Sequence, residues 1–284
     1  MRLPPPSVLL VAPALILLVV FLGMPYIDMV IMSLRNPGHG EAYAAGYTLA
    51  NYAQALGSPV YLAALGHTLL LGSVVTACCL MLSYPVAMHL AGAGRRSHLV
   101  FYAIIVSPLL LGVLVRNFGW LIILSPQGPL NQVALGLGLI GAPWRLLFTP
   151  AAVALALVHV FLPFMVLPIT GALRATPPHL AEASESLGAG WWTTFWHVTL
   201  PLSFPGVQAG VILVFVLSCS AYVTPALIGG QGGGLMPLLV VQELVGSFAW
   251  PFGSALALVM AAAMVASVLV FALATRHLAV RTAR

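Results

Sequence analysis

Five carboxylates, eight histidines and three cysteines are the groups from which acid–base, metal or thiol chemistry would have to be built in this chain of 284 residues. Glu182 and Glu185 lie about one helical turn apart, and His179 precedes Glu182 by another turn. That pairing falls short of a metal site, because His179 and Glu182 lack the further ligands that a zinc centre needs and no H-E-x-x-H occurs. All ten basic residues are arginine. The absence of lysine excludes a P-loop, whose lysine must reach the nucleotide phosphates, and a Schiff-base enzyme. No serine is followed by glycine, which disfavours a G-x-S-G intramembrane protease. Cys78, Cys79 and Cys219 sit in apolar runs, without a C-x-x-C, and read as small buried apolar residues. No catalytic residue and no metal ligand is expected.

The elements around these residues are those of a membrane protein. The composition is 61% hydrophobic and 5% charged, with a mean hydropathy of +1.08. Soluble domains carry roughly 25% charged residues, so lipid must solvate most of this surface. The chain reads as an all-α polytopic membrane protein with six transmembrane helices in one domain over residues 1–284. The spans are predicted near 8–34, 67–91, 99–125, 151–173, 205–228 and 251–274. The first apolar run exceeds the roughly 7–15 residues of a signal-peptide core and is expected to stay as an anchor. Residues 130–142 are too short to cross and are broken by glycines, which suggests an interfacial or re-entrant piece. With the N-terminus inside, seven arginines fall on the cytoplasmic side (Arg2, Arg95, Arg96, Arg174, Arg276, Arg281, Arg284), against Arg35 and Arg145 outside. The positive-inside bias places both termini in the cytoplasm. It also accounts for the net charge of +5 without nucleic acid.

Glu182 and Glu185 then lie in the longest cytoplasmic connection, about residues 174–204. Thr176-Pro177-Pro178 stops the fourth span and suits the start of a new helix. Leu180, Ala183 and Leu187 make one apolar stripe, and Glu182 sits early, where negative charge suits the helix dipole. Gly188 and Gly190 are predicted to end this helix in a left-handed turn. A second helical piece with Trp191, Trp192, Phe195 and Trp196 follows and is expected to stop at Leu200-Pro201. From the residues alone, a surface helix pair with belt tryptophans is an alternative.

The same residues resemble the E-A-A motif of importer-type ABC permeases, E-A-A-x(3)-G-x(9)-I-x-L-P. Glu182-Ala183-Ser184, Gly188 and Val198-Thr199-Leu200-Pro201 stand at matching spacing, with Ser184 and Val198 as departures. GPLNQ (128–132), LPFMVLPITGAL (162–173), LPLSFPGV (200–207), YVTPALIGG (222–230) and WPFGSALA (250–257) are similar to the polyamine (spermidine/putrescine) branch. The resemblance implies a coupling helix between spans four and five that docks on a separate ATPase, with Glu182, Ala183, Ser184, Gly188, Leu200 and Pro201 shaping it. It further implies a second, different permease, two ATPase subunits that bind ATP and Mg, and a periplasmic substrate-binding protein, in a bacterial inner membrane. The cargo it suggests is a polyamine or related cation.

Other polar residues are candidates for a translocation path. Counting 1.5 Å per residue, Asp28 lies about 30 Å and Arg116 about 26 Å from the cytoplasmic ends of their spans, a depth at which they could pair. Glu41 and Glu243 are expected in outer loops, and Trp120 and Tyr222 could face a cation through cation–π contact. The competing class is a secondary transporter with its own ion-coupling site near the midplane. No acidic residue is expected at that depth.

Overall fold

The computed structural model describes residues 6–38, 43–177, 179–230 and 234–281. In chain order the elements are α1 (Pro6–Ser33), β1 (Arg35–Asn36), β2 (Ala44–Tyr47), α2 (Ala50–Gly57), α3 (Pro59–Gly92), α4 (Arg95–Leu110), α5 (Val113–Leu124), α6 (Pro129–Gly136) and α7 (Pro150–Ala175). There follow α8 (His179–Ser186), α9 (Trp191–Thr194), a π-helical turn Phe195–Thr199, α10 (Leu200–Cys219) and α11 (Val223–Ile228). The chain ends with α12 (Met236–Val241), a second π-helical turn Gln242–Gly246 and α13 (Trp250–Arg281). Glu41 lies outside the described residues.

Among the described residues four helices are long and apolar enough to cross a membrane alone: α3, α7, the continuous run Trp191–Cys219, and Trp250–Thr275 of α13. The pair formed by Arg95–Leu110 and Val113–Gly136, bent by 98°, makes a fifth crossing if it counts as one span. Helix α1 is apolar over 28 residues and contains Pro13 and Pro25.

Two predicted spans differ in course from what is observed, and α3 begins at Pro59, ahead of the predicted start of the second span at His67. The third is not one straight helix. Pro108 stands in the last turn of α4, and Leu111 and Gly112 take extended conformations, so the helical ladder stops. The Arg116 guanidinium reaches back to the Pro108 carbonyl at 3.0 Å and satisfies an acceptor that the break would leave free. The fifth span is shifted toward the N-terminus. Leu200-Pro201 does not end the preceding helix, because the Phe195–Thr199 turn widens the coil just before it and Leu200 N–H bonds the Phe195 carbonyl. The π turn accommodates Pro201, whose ring would otherwise press on the carbonyl four residues back. The helix stops instead at Cys219 and restarts as α11 with Pro225 in its first turn, where proline is tolerated.

Two compact units can be distinguished, Met1–Ala63 with Leu239–Ala262, and Ala64–Leu238 with Ala263–Arg284. In the first, Asn51 donates to the carbonyls of Ser33 and Arg35 at 2.8 and 2.9 Å, which caps the end of α1 from α2. The Arg35 guanidinium sits over the rings of Tyr43 and Tyr47 at 5.0 and 4.7 Å, where a cation on the hairpin gains cation–π stabilisation. Tyr61 packs edge-on to Phe252.

The second unit is centred on α7 against α10, with α3 alongside. Val153, Leu157, Met165, Val166 and Ile169 of α7 are buried together with Val207 and Val214 of α10 and Val75, Ala87 and Leu90 of α3. Cys79 and Cys219 are fully buried, as their apolar settings predict, whereas Cys78 is only half-buried; all three are free. After the bend, the short α6 occupies the stretch expected to be interfacial or re-entrant. GPLNQ explains itself here. A Cβ on Gly128 would strike the Ile122 carbonyl, and Pro129 opens α6. Asn131, buried, donates to the carbonyls of Ser125 and Trp144 at 3.1 and 3.0 Å and accepts from Trp144 N–H at 2.8 Å. Asn131→Ala is expected to cost about 3 kcal/mol by orphaning those groups. Asn131→Asp should cost more, since a carboxylate would face two carbonyls. Melting of the detergent-purified protein checks this; an alanine variant as stable as the parent would contradict it.

Candidate functional site

Helix α8 and its surroundings follow the sequence closely. Glu182 stands in its first turn. Leu187 N–H bonds the Ala183 carbonyl at 3.1 Å, Gly188 N–H the Glu185 carbonyl at 2.9 Å and Ala189 N–H the Ser184 carbonyl at 3.2 Å. With Gly188 at φ 85°, these last two bonds form a Schellman stop that satisfies carbonyls the helix end leaves open. Gly190 differs from its expected role. Its backbone is extended (φ −72°, ψ 165°), and it serves as the N-cap of α9, whose Thr194 N–H bonds the Gly190 carbonyl.

Among the described residues the predicted apolar stripe meets no core. Leu180 is 37% and Leu187 89% exposed, and Ala183, Glu182 and Glu185 are also exposed. Trp191, Trp192 and Trp196 are exposed on the following piece, whereas Phe195 turns inward and packs edge-on to Tyr84 of α3 at 5.4 Å. Tyr84 and Ser203 share a buried hydroxyl–hydroxyl bond of 2.7 Å. At the root of the loop, Arg174 donates to His98 at 2.9 Å and to the Leu90 carbonyl at 3.0 Å, pinning the end of α7 to the start of α4 and the end of α3. A cavity of about 400 Å³ opens beside it, bounded by Met88, Gly92, Leu173, Pro177 and Val198. An apolar stripe with no partner among the described residues, on a helix stopped by a left-handed turn, can do one thing chemically: bury itself against another surface.

The path candidates are less concentrated. Arg116 and Trp120 stand one turn apart on α5, and Trp120 packs edge-on to His159 of α7 at 5.5 Å. Tyr222, 39% exposed, precedes α11. Between Arg116 and Trp120 the sequence reading missed Asn117, which is buried and accepts from Thr224 of α11 at 3.1 Å. A polar residue in an apolar run next to an arginine was a readable signal. Asp28 and Glu243 belong to the other unit, Glu243 beside the Tyr61 hydroxyl. A cavity of about 430 Å³ between α3, α7 and α11 is lined by apolar side chains and His67, with no carboxylate in its wall among the described residues.

Comparison with known proteins decides the class. Residues 83–284 match the family described as the binding-protein-dependent transport system inner membrane component. The chain belongs to this family of ABC-importer permeases. The permease is 32% identical over 261 residues to the spermidine/putrescine transport system permease protein PotB of Escherichia coli K12, covering 92% of this chain and 94% of that one. The molybdenum transport system permease protein ModB of Azotobacter vinelandii is 35% identical over 170 residues, 60% of this chain and 74% of its own. A solved bacterial ABC transporter involved in the import of the acidic polysaccharide alginate covers 97% of the permease and 95% of its own chain, with TM-score 0.77 and 15% identity. That likeness shows the fold. The family match begins inside α3 and takes in α8, the Gly188 turn and α10. The permease is a transport subunit, not an enzyme.

Proposed function

We propose that α8 is a cytoplasmic coupling helix through which an ATPase subunit drives this permease. The observation that carries the reading is the exposed stripe Leu180, Ala183 and Leu187 on a helix stopped by the Gly188 turn. A second, different permease completes the pore, each permease engages one of two ATPases that bind ATP and Mg, and a periplasmic protein delivers the solute. The chain crosses the bacterial inner membrane six times with both termini in the cytoplasm, counting α1 and the bent pair as one crossing each; the arginine bias supports this. ATP binding does work on the permease only if each nucleotide state favours a different arrangement of the spans.

The cargo is a small organic cation of the polyamine class, a reading supported by the 32% identity to PotB. Within the unit that holds α5 and α11, Trp120 and Tyr222 offer aromatic faces and Arg116 fixes the bend between α4 and α5; Asp28 and Glu243 are the carboxylate candidates of the other unit. Affinity capture of the tagged permease from native membranes should bring down two ATPases and a second permease, and its binding protein should retain a polyamine. Recovery of a transport-active permease without any ATPase would overturn the reading in favour of a secondary transporter. A binding protein that retains an anion or a sugar would overturn the cargo alone.

A further inference from the structure

In a loop whose aromatic residues mostly face outward, Thr194 is 5% exposed. Its Oγ1 lies 3.0 Å from Ser184 Oγ, across the Gly188-Ala189-Gly190 turn. Among the described residues this is the only side-chain hydrogen bond between α8 and the helix that follows. The turn it spans is otherwise a soft joint, since two of its three residues are glycines. Thr194 also stands immediately before Phe195, which packs on Tyr84 of α3, and Tyr84 in turn bonds Ser203 of α10. Beyond Thr194 the helix runs without interruption through the π turn into α10. Ser184 occupies the position where the family motif carries its second alanine, so the hydroxyl that departs from the motif is the one that makes this bond.

We propose that Thr194 is the positioning residue that makes α8 and the membrane helices move together: its bond to Ser184 braces the glycine turn, and its neighbour Phe195 passes the displacement sideways to Tyr84 on α3 while α10 carries it along its own axis. The inference rests on the reading of α8 as the coupling helix. Without the brace, a docked ATPase would tilt α8 about Gly188 and Gly190, and the spans would lag behind. The same brace stands between the spans and α8, so a displacement that a docked binding protein imposes on the spans reaches the ATPases through it.

The test uses the whole complex, permeases, ATPases and binding protein, in lipid nanodiscs. The binding protein is added in the ligand-loaded form in which it purifies. Two quantities are read: ATPase retention on the tagged permease, and the factor by which the binding protein stimulates ATP hydrolysis. Thr194→Val keeps the side-chain volume and removes the hydroxyl that shares the bond with Ser184. It should retain the ATPases as the parent does, while stimulation falls about fivefold or more, the lower range of a typical coupling free energy. Ser184→Ala should fall equally, the double variant no further, and Thr194→Ser should restore the parent's response. Parental stimulation in Thr194→Val, additive losses in the double variant, or loss of ATPase retention would each overturn the role. The underlying reading is tested separately by Leu187→Asp, which should release the ATPases. Full retention there sinks the docking of α8 itself, whereas release there with parental stimulation in Thr194→Val sinks only the brace.

Discussion

Replacing Gly188 with valine should nearly abolish solute uptake while the permease still reaches the membrane, and replacing it with asparagine should leave most of the uptake. The reason is conformational, not spatial. A Cβ built on Gly188 meets nothing within 4 Å, yet φ is 85°, where a β-branched residue is a genuine outlier. The left-handed conformation costs an ordinary L-residue about 1–2 kcal/mol and valine more, whereas asparagine visits it with less strain. Relaxing φ would also break the bonds from Gly188 N–H to Glu185 and from Ala189 N–H to Ser184. A penalty of about 2 kcal/mol already shifts the population of the correctly turned unit about thirtyfold. Uptake into proteoliposomes per molecule of inserted permease, measured for the glycine, asparagine, alanine and valine forms, should fall in that order. A valine variant that transports and couples like the parent would remove the turn from the mechanism.

That turn was legible in advance because a glycine directly after an apolar stripe is the usual way to stop a helix in a left-handed turn. The long apolar runs of α3, α7 and α13 were legible because a bilayer imposes their length. The bend at Leu111-Gly112 was not. Hydropathy over residues 99–125 is continuous, and a window that averages it cannot register a change of direction. Pro108 and Gly112 were the local cues, and Arg116, which the sequence marked for an intramembrane partner, has a backbone carbonyl created by the break as one of its partners. The π turn was also hidden, since it differs from an α turn by one residue and is accompanied by the tertiary packing of Phe195 on Tyr84. Thr194 escaped for a similar reason. Its partner Ser184 stood out only as a departure from a motif, and the bond between them spans a turn whose geometry sequence spacing does not fix. Local backbone preferences could be read from residue types; pairings that depend on two elements meeting could not.

A second large stability effect is expected at a spacing the sequence did display, Gly206-x-x-x-Gly210, where α10 lies against α7. In lipid, apolar burial gives helices little drive to associate, so close approach at small residues carries more of the packing. The two glycines are not equivalent. A Cβ on Gly206 would lie 2.5 Å from the Pro168 carbonyl oxygen and 2.6 Å from the Ala172 Cβ, both fixed to the backbone of α7. A Cβ on Gly210 would lie 2.7 Å from the Met165 sulfur, the flexible part of an adaptable side chain, although the Met165 backbone also stands close, at 3.3 Å. Gly206→Ala should therefore force α7 and α10 apart and cost about 3 kcal/mol or more, the upper end of overpacking. Gly210→Ala should cost about 1 kcal/mol as Met165 changes rotamer, the lower end of the same range. Adding Ala172→Gly to Gly206→Ala should recover only part of the loss, because the Pro168 carbonyl still opposes the new methyl. Melting temperatures in nanodiscs and steady-state membrane levels report both effects. Equal losses at the two glycines would mean that α7 yields as a rigid body wherever it is pushed. A rank order set by what each methyl strikes would place the fixed contact at Pro168, about one and a half turns before Arg174, directly between the coupling loop and the core of the permease.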